Sequence, residues 1–426
     1  MIGNFKRIDM SRRPRRQLRI LTPVTWLISF PKTWAHRAKI DKTGMPEQLK
    51  PPYFLLCNHN SFMDFMIMTK AIFPHRANFV VAVDGFIRIE WLLRAIGGIC
   101  NRKFTKSVSP VKNMLRARNN GDIVVLFPEA RYSLCGTAAV LPDSLGKMVR
   151  KMNVPVATLI MRGHHINSPF WNIGSRRVKP VESEMKLLFT RDETQELSVD
   201  EINARLSDAF VYDDYAWQKE KHIRVKTRKR AEGLHKVLYQ CPACLTEYKM
   251  TSDKHTLRCG MCGKAWDMNE FGELRALTGE TEFSHIPDWY EWERANVRRE
   301  IEDGTYNFDN EVRIESLPSA KGFIRFDKPG RLSHDLSGFT LTGVYKDDPF
   351  TLKWTPAALY SCHIEYDYKR RGDCVDLSTV DDTFYLFPAG SDFSVTKIAL
   401  ATEELHNSGT TARKILKTAE ADENCG

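Results

Sequence analysis

The chain has 426 residues, a formal net charge of +10 at pH 7 and 42% hydrophobic residues. Its mean hydropathy is -0.39 and its pI is about 9.0. This is the composition of a soluble globular protein of two or three domains, and it excludes a chain made mainly of membrane-spanning or low-complexity sequence.

The positive charge is concentrated at the amino terminus. Within residues 1–40, ten lysines and arginines face Asp9 as the single acidic residue. They adjoin the mostly apolar segment Ile20–Phe30, which contains Trp26 and is too short to span a membrane. We therefore predict that residues 1–40 associate with an anionic membrane surface. A solvated basic tail is the alternative, whereas an export signal is disfavoured because no small-residue cleavage site follows.

The first candidate catalytic residues follow a predicted strand, Tyr53–Cys57. The run Asn58-His59-Asn60-Ser61-Phe62-Met63-Asp64 follows it, and Ser61 or Asn60 can cap a helix over Phe62–Phe73. His59 then lies at a strand-to-helix turn, where Asp64 can orient its imidazole and stabilise the protonated form. The pair predicts a general base for a substrate hydroxyl. A His and an Asp at this spacing also occur by chance, with the histidine serving only as a turn residue.

Three further blocks follow along the chain. The Gly-rich run Gly97-Gly98-Ile99-Cys100-Asn101-Arg102 comes after an amphipathic helix predicted over Phe86–Ile96. The predicted strand Asp122–Phe127 leads into Pro128-Glu129-Ala130-Arg131-Tyr132-Ser133, which is a second polar cluster at the end of a strand. Val154-Pro155-Val156 begins a further predicted strand, which ends at Met161.

In this order and at these separations, the four blocks resemble the glycerolipid acyltransferase family, over roughly residues 50–190. The resemblance implies an α/β fold, a mixed sheet with flanking helices, for residues 41–220. It also implies transfer of a fatty acyl chain from acyl-CoA or acyl carrier protein to the hydroxyl of a lysophospholipid or glycerol-phosphate-like acceptor, in phospholipid synthesis. On this resemblance, the catalytic residues are His59 and Asp64, and the substrate-binding residues are Gly98, Arg102, Glu129 and Arg131.

The chain departs from the family pattern after Glu129. Where the family has Gly-Thr-Arg, this chain has Ala130-Arg131-Tyr132, so the basic residue comes one position early. Arg102 matches the family arginine associated with the acceptor phosphate, a role that suits the donor fork of a guanidinium. Arg131 can serve by a shifted path, or Tyr132 can occupy the pocket and the acceptor can lack a glycerol phosphate. Surface ion pairs or backbone contacts of the arginines, and a catalytically silent lipid or acyl-carrier binding adaptor, are the remaining alternatives.

Two C-x-x-C motifs form the second chemical signal. Cys241-Pro242-Ala243-Cys244 and Cys259-Gly260-Met261-Cys262 are separated by fourteen residues. Each motif places two thiolates on one tight turn, so the pair predicts a zinc ribbon over residues 237–272. Because cysteine fills all four ligand positions, the zinc would be structural and away from the substrate. Disulfides or a redox pair are the alternatives.

The other cysteines have no regular spacing, which together with a thiolate zinc site indicates a reducing compartment. We therefore expect a cytoplasmic protein, associated peripherally with the cytoplasmic face of a membrane. Nucleic acid is a less suitable partner for the ribbon, because the ribbon contains four acidic residues. These are Glu247, Asp253, Asp267 and Glu270.

The remaining divisions are predicted from composition and periodicity. They are a basic linker (221–236), a connecting region (273–310), a β-rich region (311–410) and a tail (411–426). A charged helix over Asp288–Asp303 dominates the connecting region. The β-rich region has short alternating runs that end in a helix over Ser394–His406, so it resembles a pleckstrin-homology module.

Overall fold

The computed structural model describes residues 2–3, 5–174 and 176–423. Within these residues, the chain folds into an α/β domain, a small antiparallel sheet and a larger antiparallel β domain, in that order. The α/β domain agrees with the fold class expected from the sequence. The last three residues of the predicted tail lie outside the described residues.

The α/β domain is built on a mixed sheet. Its strands are β1 (Lys39–Gly44), β2 (Phe54–Cys57), β3 (Ala77–Ala82), β4 (Gly98–Asn101), β5 (Ile123–Leu126), β6 (Val156–Arg162) and β7 (Glu182–Phe189). Their spatial order is β1-β7-β6-β2-β5-β3-β4, and neighbours run parallel except β6 and β7. All four residues of the central strand β2 are buried, as expected of a parallel strand with helices on both faces.

Helices cover both faces of this sheet. They are α1 (Thr22–Ala35), α2 (Met63–Ala71), α3 (Glu90–Ala95), α4 (Val108–Asn119), α5 (Ser144–Met152), α6 (His164–Asn167), α7 (Glu193–Glu196), α8 (Val199–Ala209) and α9 (Asp214–Glu220). The helix predicted over Phe86–Ile96 is shortened to α3, because Arg88 has a positive φ of 63° that interrupts helical geometry. Among the described residues, no helix combines the length and apolar character needed to cross a bilayer.

The small sheet is an antiparallel meander that carries the cysteine motifs. Its strands are β8 (Met250–Asp253), β9 (Thr256–Cys259), β10 (Ala265–Met268) and β11 (Leu274–Ala276). Helix α10 (Ile286–Glu302) then leads into the β domain. Residues 221–236, which precede the sheet, also contribute to packing, since Ala231 and Leu234 are fully buried.

The C-terminal β domain consists of one antiparallel sheet and a long helix, α11 (Val395–Glu423). Its strands are β12 (Phe308–Ser319), β13 (Gly322–Arg325), β14 (Gly330–Asp335), β15 (Gly338–Tyr345), β16 (Asp348–Trp354), β17 (His363–Glu365), β18 (Cys374–Ser378) and β19 (Thr383–Pro388). The spatial order is β16-β15-β14-β12-β19-β18-β17, with β13 paired to β12.

A single apolar cluster joins the three parts of the chain. It contains Phe170 and Trp171 from the α/β domain, Trp266 from the small sheet, and Ile398 from α11. The Trp266 ring also contacts the Trp289 ring of α10, with centroids 5.0 Å apart. The C-terminal β domain is therefore packed against the α/β domain through a common core.

Candidate active site

His59 and Asp64 meet at the carboxyl end of β2, as the sequence predicts. His59 follows the strand, and Asp64 lies in the first turn of α2. The Nδ1 atom of His59 is 3.0 Å from Oδ2 of Asp64; the histidine side chain is 26% exposed, whereas the carboxylate is fully buried. Because Nδ1 faces Asp64, Nε2 is the ring nitrogen able to take a proton from a substrate hydroxyl.

The Asp64 carboxylate is held by several donors at once. Its Oδ2 accepts hydrogen bonds from the backbone N–H groups of Asn60 at 2.6 Å and Ser61 at 2.9 Å. Its Oδ1 lies 2.6 Å from Nδ1 of His164. Burial raises the pKa of Asp64, but the hydrogen bonds from His164 and His59 outweigh it and lower the pKa to about 2. Asp64 is thus ionised at neutral pH, so both histidines present a protonated Nδ1 to it.

The start of α2 differs in one detail from the sequence prediction. Phe62, not Asn60 or Ser61, occupies the N-cap position, and its side chain makes no capping hydrogen bond. Ser61 Oγ still accepts a hydrogen bond from the N–H of Met63 at 3.3 Å, and the Asp64 carboxylate accepts from the amides of Asn60 and Ser61, which precede the helix. The turn is therefore fixed by the same carboxylate that orients His59.

His164 is the residue of this cluster that sequence reasoning missed. It begins α6, two residues after β6 ends, and it is fully buried. A signal was available, because β6 is the parallel neighbour of β2 and the carboxyl ends of parallel neighbours lie at one edge of a sheet. The spacing gives no such hint, since 100 residues separate His164 from Asp64.

Glu129 contacts the backbone of His59. It follows β5, is 1% exposed, and its Oε2 accepts a hydrogen bond from the His59 N–H at 3.2 Å. Four residues on, the Ser133 N–H donates to the carbonyl of His59 at 2.9 Å. Burial raises the pKa of Glu129 to about 8, so the carboxyl is mostly protonated at neutral pH. The loop after β5 thus binds both the N–H and the carbonyl group of the His59 backbone.

Aromatic side chains surround the His59 imidazole. Its ring centroid lies 4.4 Å from that of Phe127 and 4.3 Å from that of Tyr132. Tyr132 continues the wall to Phe170, at 5.6 Å. Burial raises the pKa of Tyr132, which keeps its hydroxyl protonated. The wall is therefore aromatic and uncharged.

Arg102 is directed to the C-terminal β domain. The side chain is 1% exposed, its Nη1 donates to the carbonyl of Leu317 at 3.0 Å and to Oγ1 of Thr383 at 2.9 Å, and its Nη2 donates to the carbonyl of Pro318 at 3.1 Å. These groups belong to β12 and β19. The guanidinium fork predicted to receive a phosphate is occupied by three oxygen acceptors of the neighbouring domain.

Arg131 also pairs with the C-terminal β domain. Its Nη2 is 2.6 Å from Oε1 of Glu403 on α11, and both side chains are buried. Arg294 of α10 binds the other oxygen of Glu403 at 2.8 Å. Burial raises the pKa of Glu403, but the two guanidinium groups outweigh it and lower the pKa below its usual value. The ion pair is thus internal, in place of the surface pair considered from the sequence.

Two small residues shape the backbone of the site. At Gly98, an added Cβ would lie 2.8 Å from the carbonyl oxygen of Leu93, so glycine permits the close approach of α3 and β4. Ala130 has a φ of +55°, at the position where the resembled pattern has glycine. Ala130 therefore adopts a left-handed backbone conformation that glycine adopts more readily.

The four predicted zinc ligands lie together at the end of the small sheet. The Sγ atoms of Cys241, Cys244, Cys259 and Cys262 all lie within 4.8 Å of one another. Two pairs are 3.7 Å apart, Cys241 with Cys262 and Cys244 with Cys259. Four thiolates at about 2.3 Å from a tetrahedral zinc would be separated by about 3.8 Å, whereas a disulfide requires about 2.0 Å. The cluster therefore has a donor set and spacing that fit a metal ion.

Part of the chain matches a known protein family. Residues 39–162 match the family model described as Acyltransferase. Among solved structures, the chain is similar to the 1-acyl-sn-glycerophosphate (LPA) acyltransferase PlsC from Thermotoga maritima, with 15% sequence identity, 43% of this chain and 79% of that chain covered, and a TM-score of 0.32. The family match spans β1 to β6, and it includes His59, Asp64, Glu129 and both arginines. The candidate residues thus lie in the part of the chain that matches the acyltransferase family model.

Proposed function

We propose that this protein is a peripheral membrane acyltransferase of phospholipid synthesis, which moves a fatty acyl chain from acyl-CoA or acyl carrier protein to the hydroxyl of a lysophospholipid or glycerol-phosphate-like acceptor. The observation that carries the proposal is the 3.0 Å contact between His59 and a buried, ionised Asp64 in the part of the chain that matches the acyltransferase family model.

The proposed reaction is a direct transfer. The acceptor hydroxyl oxygen attacks the thioester carbonyl carbon while Nε2 of His59 takes the hydroxyl proton. The carbon–sulfur bond then breaks, the new ester is released, and the thiolate leaves with the proton from His59. Asp64 keeps Nδ1–H in place and stabilises the imidazolium between these steps, an effect of about 10² to 10⁴ in rate for positioned acid–base groups.

Product analysis by mass spectrometry, with a panel of acceptors and both donor classes, tests the proposal. The wild-type chain should form acylated lipid, and folded His59→Ala and Asp64→Asn proteins should not. The surface variant His255→Ala, in the small sheet, serves as the control. Undiminished transfer by folded His59→Ala would refute the mechanism. Retained lipid binding with no product from the wild type would favour the silent adaptor.

A second candidate is an acyltransferase whose acceptor lacks a phosphate. The placement of Arg102 and Arg131 supports it, because both guanidinium groups are engaged by the C-terminal β domain. The same panel separates the candidates when it pairs a lysophospholipid with a monoacylglycerol of the same chain length. Faster acylation of the monoacylglycerol would select the second candidate, and faster acylation of the lysophospholipid would select the first.

Peripheral attachment to the cytoplasmic face of a membrane is proposed on the basis of α1. The helix turns Thr22, Thr25, Ser29 and Thr33 toward the protein. Val24, Leu27, Ile28 and Trp34 face outward instead, and Leu27 is 73% exposed. Such a face is suited to the lipid interface, whereas it is unfavourable in water.

The cysteine cluster is proposed to hold a structural zinc ion through Cys241, Cys244, Cys259 and Cys262. With four thiolate ligands, a bound zinc would stabilise the sheet and leave no open coordination position for chemistry. Elemental analysis should find one zinc per chain, and Cys244→Ser should lower both zinc content and thermal stability. A fully folded wild-type chain without metal would contradict the assignment.

A further inference from the structure

A cavity lies at the opposite edge of the sheet from His59. It has a volume of about 380 Å³, and its walls include Pro51, Arg76 and Asp122. These residues come shortly before β2, β3 and β5, whereas His59 and Glu129 follow the carboxyl ends of β2 and β5. The cavity is therefore separate from the candidate active site.

The cavity is positively charged. Arg16, Arg19 and Arg76 line it, against the single carboxylate of Asp122. Arg16 donates from Nε to both oxygens of Asp122, at 3.0 and 3.1 Å, and its side chain is still 49% exposed. Arg19 is exposed. Two guanidinium charges thus remain in excess at a concave surface, an arrangement that favours a phosphate.

Helix α1 begins at this cavity. Thr22, Pro23 and Trp26 line it from the first two turns of the helix. The N-cap residue Leu21 provides no side-chain hydrogen bond, and the first turn contains no acidic residue. The partial positive charge of the helix end therefore adds to that of the arginines. No acidic side chain in the first turn of the helix offsets it.

The outward face of α1 indicates which phosphate would reach the cavity. Ile20, Val24, Leu27, Ile28 and Trp34 are between 46% and 81% exposed. A helix that lies in a membrane interface buries its apolar face about 5–10 Å into the boundary between headgroups and acyl chains. The phosphates of the bilayer would then lie beside the arginines at the start of the helix.

We infer that this cavity binds the phosphate of an anionic bilayer phospholipid, such as phosphatidylglycerol, as a docking site distinct from the acceptor site. The inference rests on the proposed membrane association and not on acyl transfer. Coenzyme A also carries phosphates, but the cavity lies at the far edge of the sheet from the imidazole that the thioester must reach. The exposed apolar helix beside the cavity favours the lipid.

Calorimetric titration of the full-length protein with monomeric dihexanoyl-phosphatidylglycerol tests the site. The double variant Arg19→Gln/Arg76→Gln should weaken binding about tenfold or more, through the loss of two phosphate donors. The control Arg12→Gln/Arg13→Gln removes the same charge, from amino-terminal residues outside the cavity wall, and should change affinity less than about twofold. Equal losses in the two double variants, or the absence of saturable binding to the wild type, would overturn the site.

Further measurements distinguish a lipid phosphate from a coenzyme A phosphate, and failure of this site from failure of the acyltransferase proposal. Arg76 also donates to the carbonyl of Gln17, at 3.0 Å, so the exposed single variant Arg19→Glu provides a test that leaves this contact intact. It should weaken phosphatidylglycerol binding as well, and unchanged binding would count against the site. Saturable binding of free coenzyme A alone, lost in the same variants, would reassign the cavity to the donor. His59→Ala should retain lipid binding, which keeps failure of the site distinct from failure of the acyltransferase proposal.

Discussion

Glu129 and Arg131 lie on the same loop after β5, but their side chains contact different parts of the molecule. Glu129 accepts a hydrogen bond from the backbone of His59, and both residues lie in the part of the chain that matches the acyltransferase family model. Arg131 forms a buried ion pair with Glu403 of α11, in the C-terminal β domain. The proposed proton-transfer side of the site, His59 and Asp64 with their partners, therefore lies within one domain. The arginine side, Arg102 and Arg131, belongs to the contact between two domains.

The contrast shows how far a motif determines its own chemistry. His59 and Asp64 are short side chains on one turn, so their contact with each other follows from the local backbone. Arg102 and Arg131 are long, and a guanidinium bonds whichever acceptors come within reach. In this chain a second domain supplies those acceptors.

The strongest test of the proton-transfer side is Asp64→Asn. We expect acyl transfer to fall about 10³- to 10⁴-fold, because the amide cannot hold His59 in the required tautomer. Steady-state kinetics on folded protein would measure it. Asp213→Asn is the matched control, since Asp213 also contacts a histidine, His285, at 2.7 Å but away from the site. A loss of similar size in both variants would contradict the special role of Asp64.

The arginine side is tested by Arg131→Met. Removal of one partner from a buried pair should lower the free energy of unfolding by about 3 kcal/mol, measured by urea denaturation. The control Arg205→Met breaks an exposed pair with Glu193 and should change it by less than about 1 kcal/mol. An unchanged stability together with a raised KM for phosphate acceptors would indicate instead that Arg131 binds the substrate.

His164→Phe measures how far the proton-transfer cluster extends. Loss of one hydrogen bond to an ionised group, about 2 kcal/mol, should lower kcat roughly 30-fold with little change in KM. His164→Asn keeps a donor nitrogen near the Nδ1 position and should recover part of the rate. A fall in stability with kcat intact would make His164 a packing residue only.

The smallest expected effect concerns the contact of Arg102. Thr383→Val removes one of its acceptors and leaves the carbonyls of Leu317 and Pro318, so stability should fall by about 1 kcal/mol. The exposed strand residue Thr351 offers a control in Thr351→Val, with a change within about 0.5 kcal/mol. A larger effect on acceptor KM than on stability would contradict a purely interdomain role.

The parts that the sequence predicts well are those set by local pattern. Apolar runs located β2, β5 and β6, and the spacing of His59 and Asp64 placed both at one turn. The paired C-x-x-C motifs likewise predicted that four cysteines would meet. In each case the information lies within a few residues or in a repeated local motif, so no distant contact has to be known.

The contacts that escaped prediction join residues far apart in the chain. Arg102 and Thr383 are separated by 281 residues, and Asp64 and His164 by 100. Such partners depend on how whole elements pack, which periodicity does not encode. The start of α2, in contrast, is local, and the predicted Phe62 lies one residue from the observed Met63.

The shared apolar cluster has a consequence for any attempt to divide this chain. Leu134, Phe170 and Trp171 are at most 5% exposed, in a cluster that also contains side chains of the small sheet and the C-terminal β domain. A polypeptide cut after residue 220 would present these side chains to water, and would tend to aggregate rather than persist as an autonomous module. Dissection into fragments therefore removes part of the interior of the α/β domain, and activity should be sought in the undivided chain.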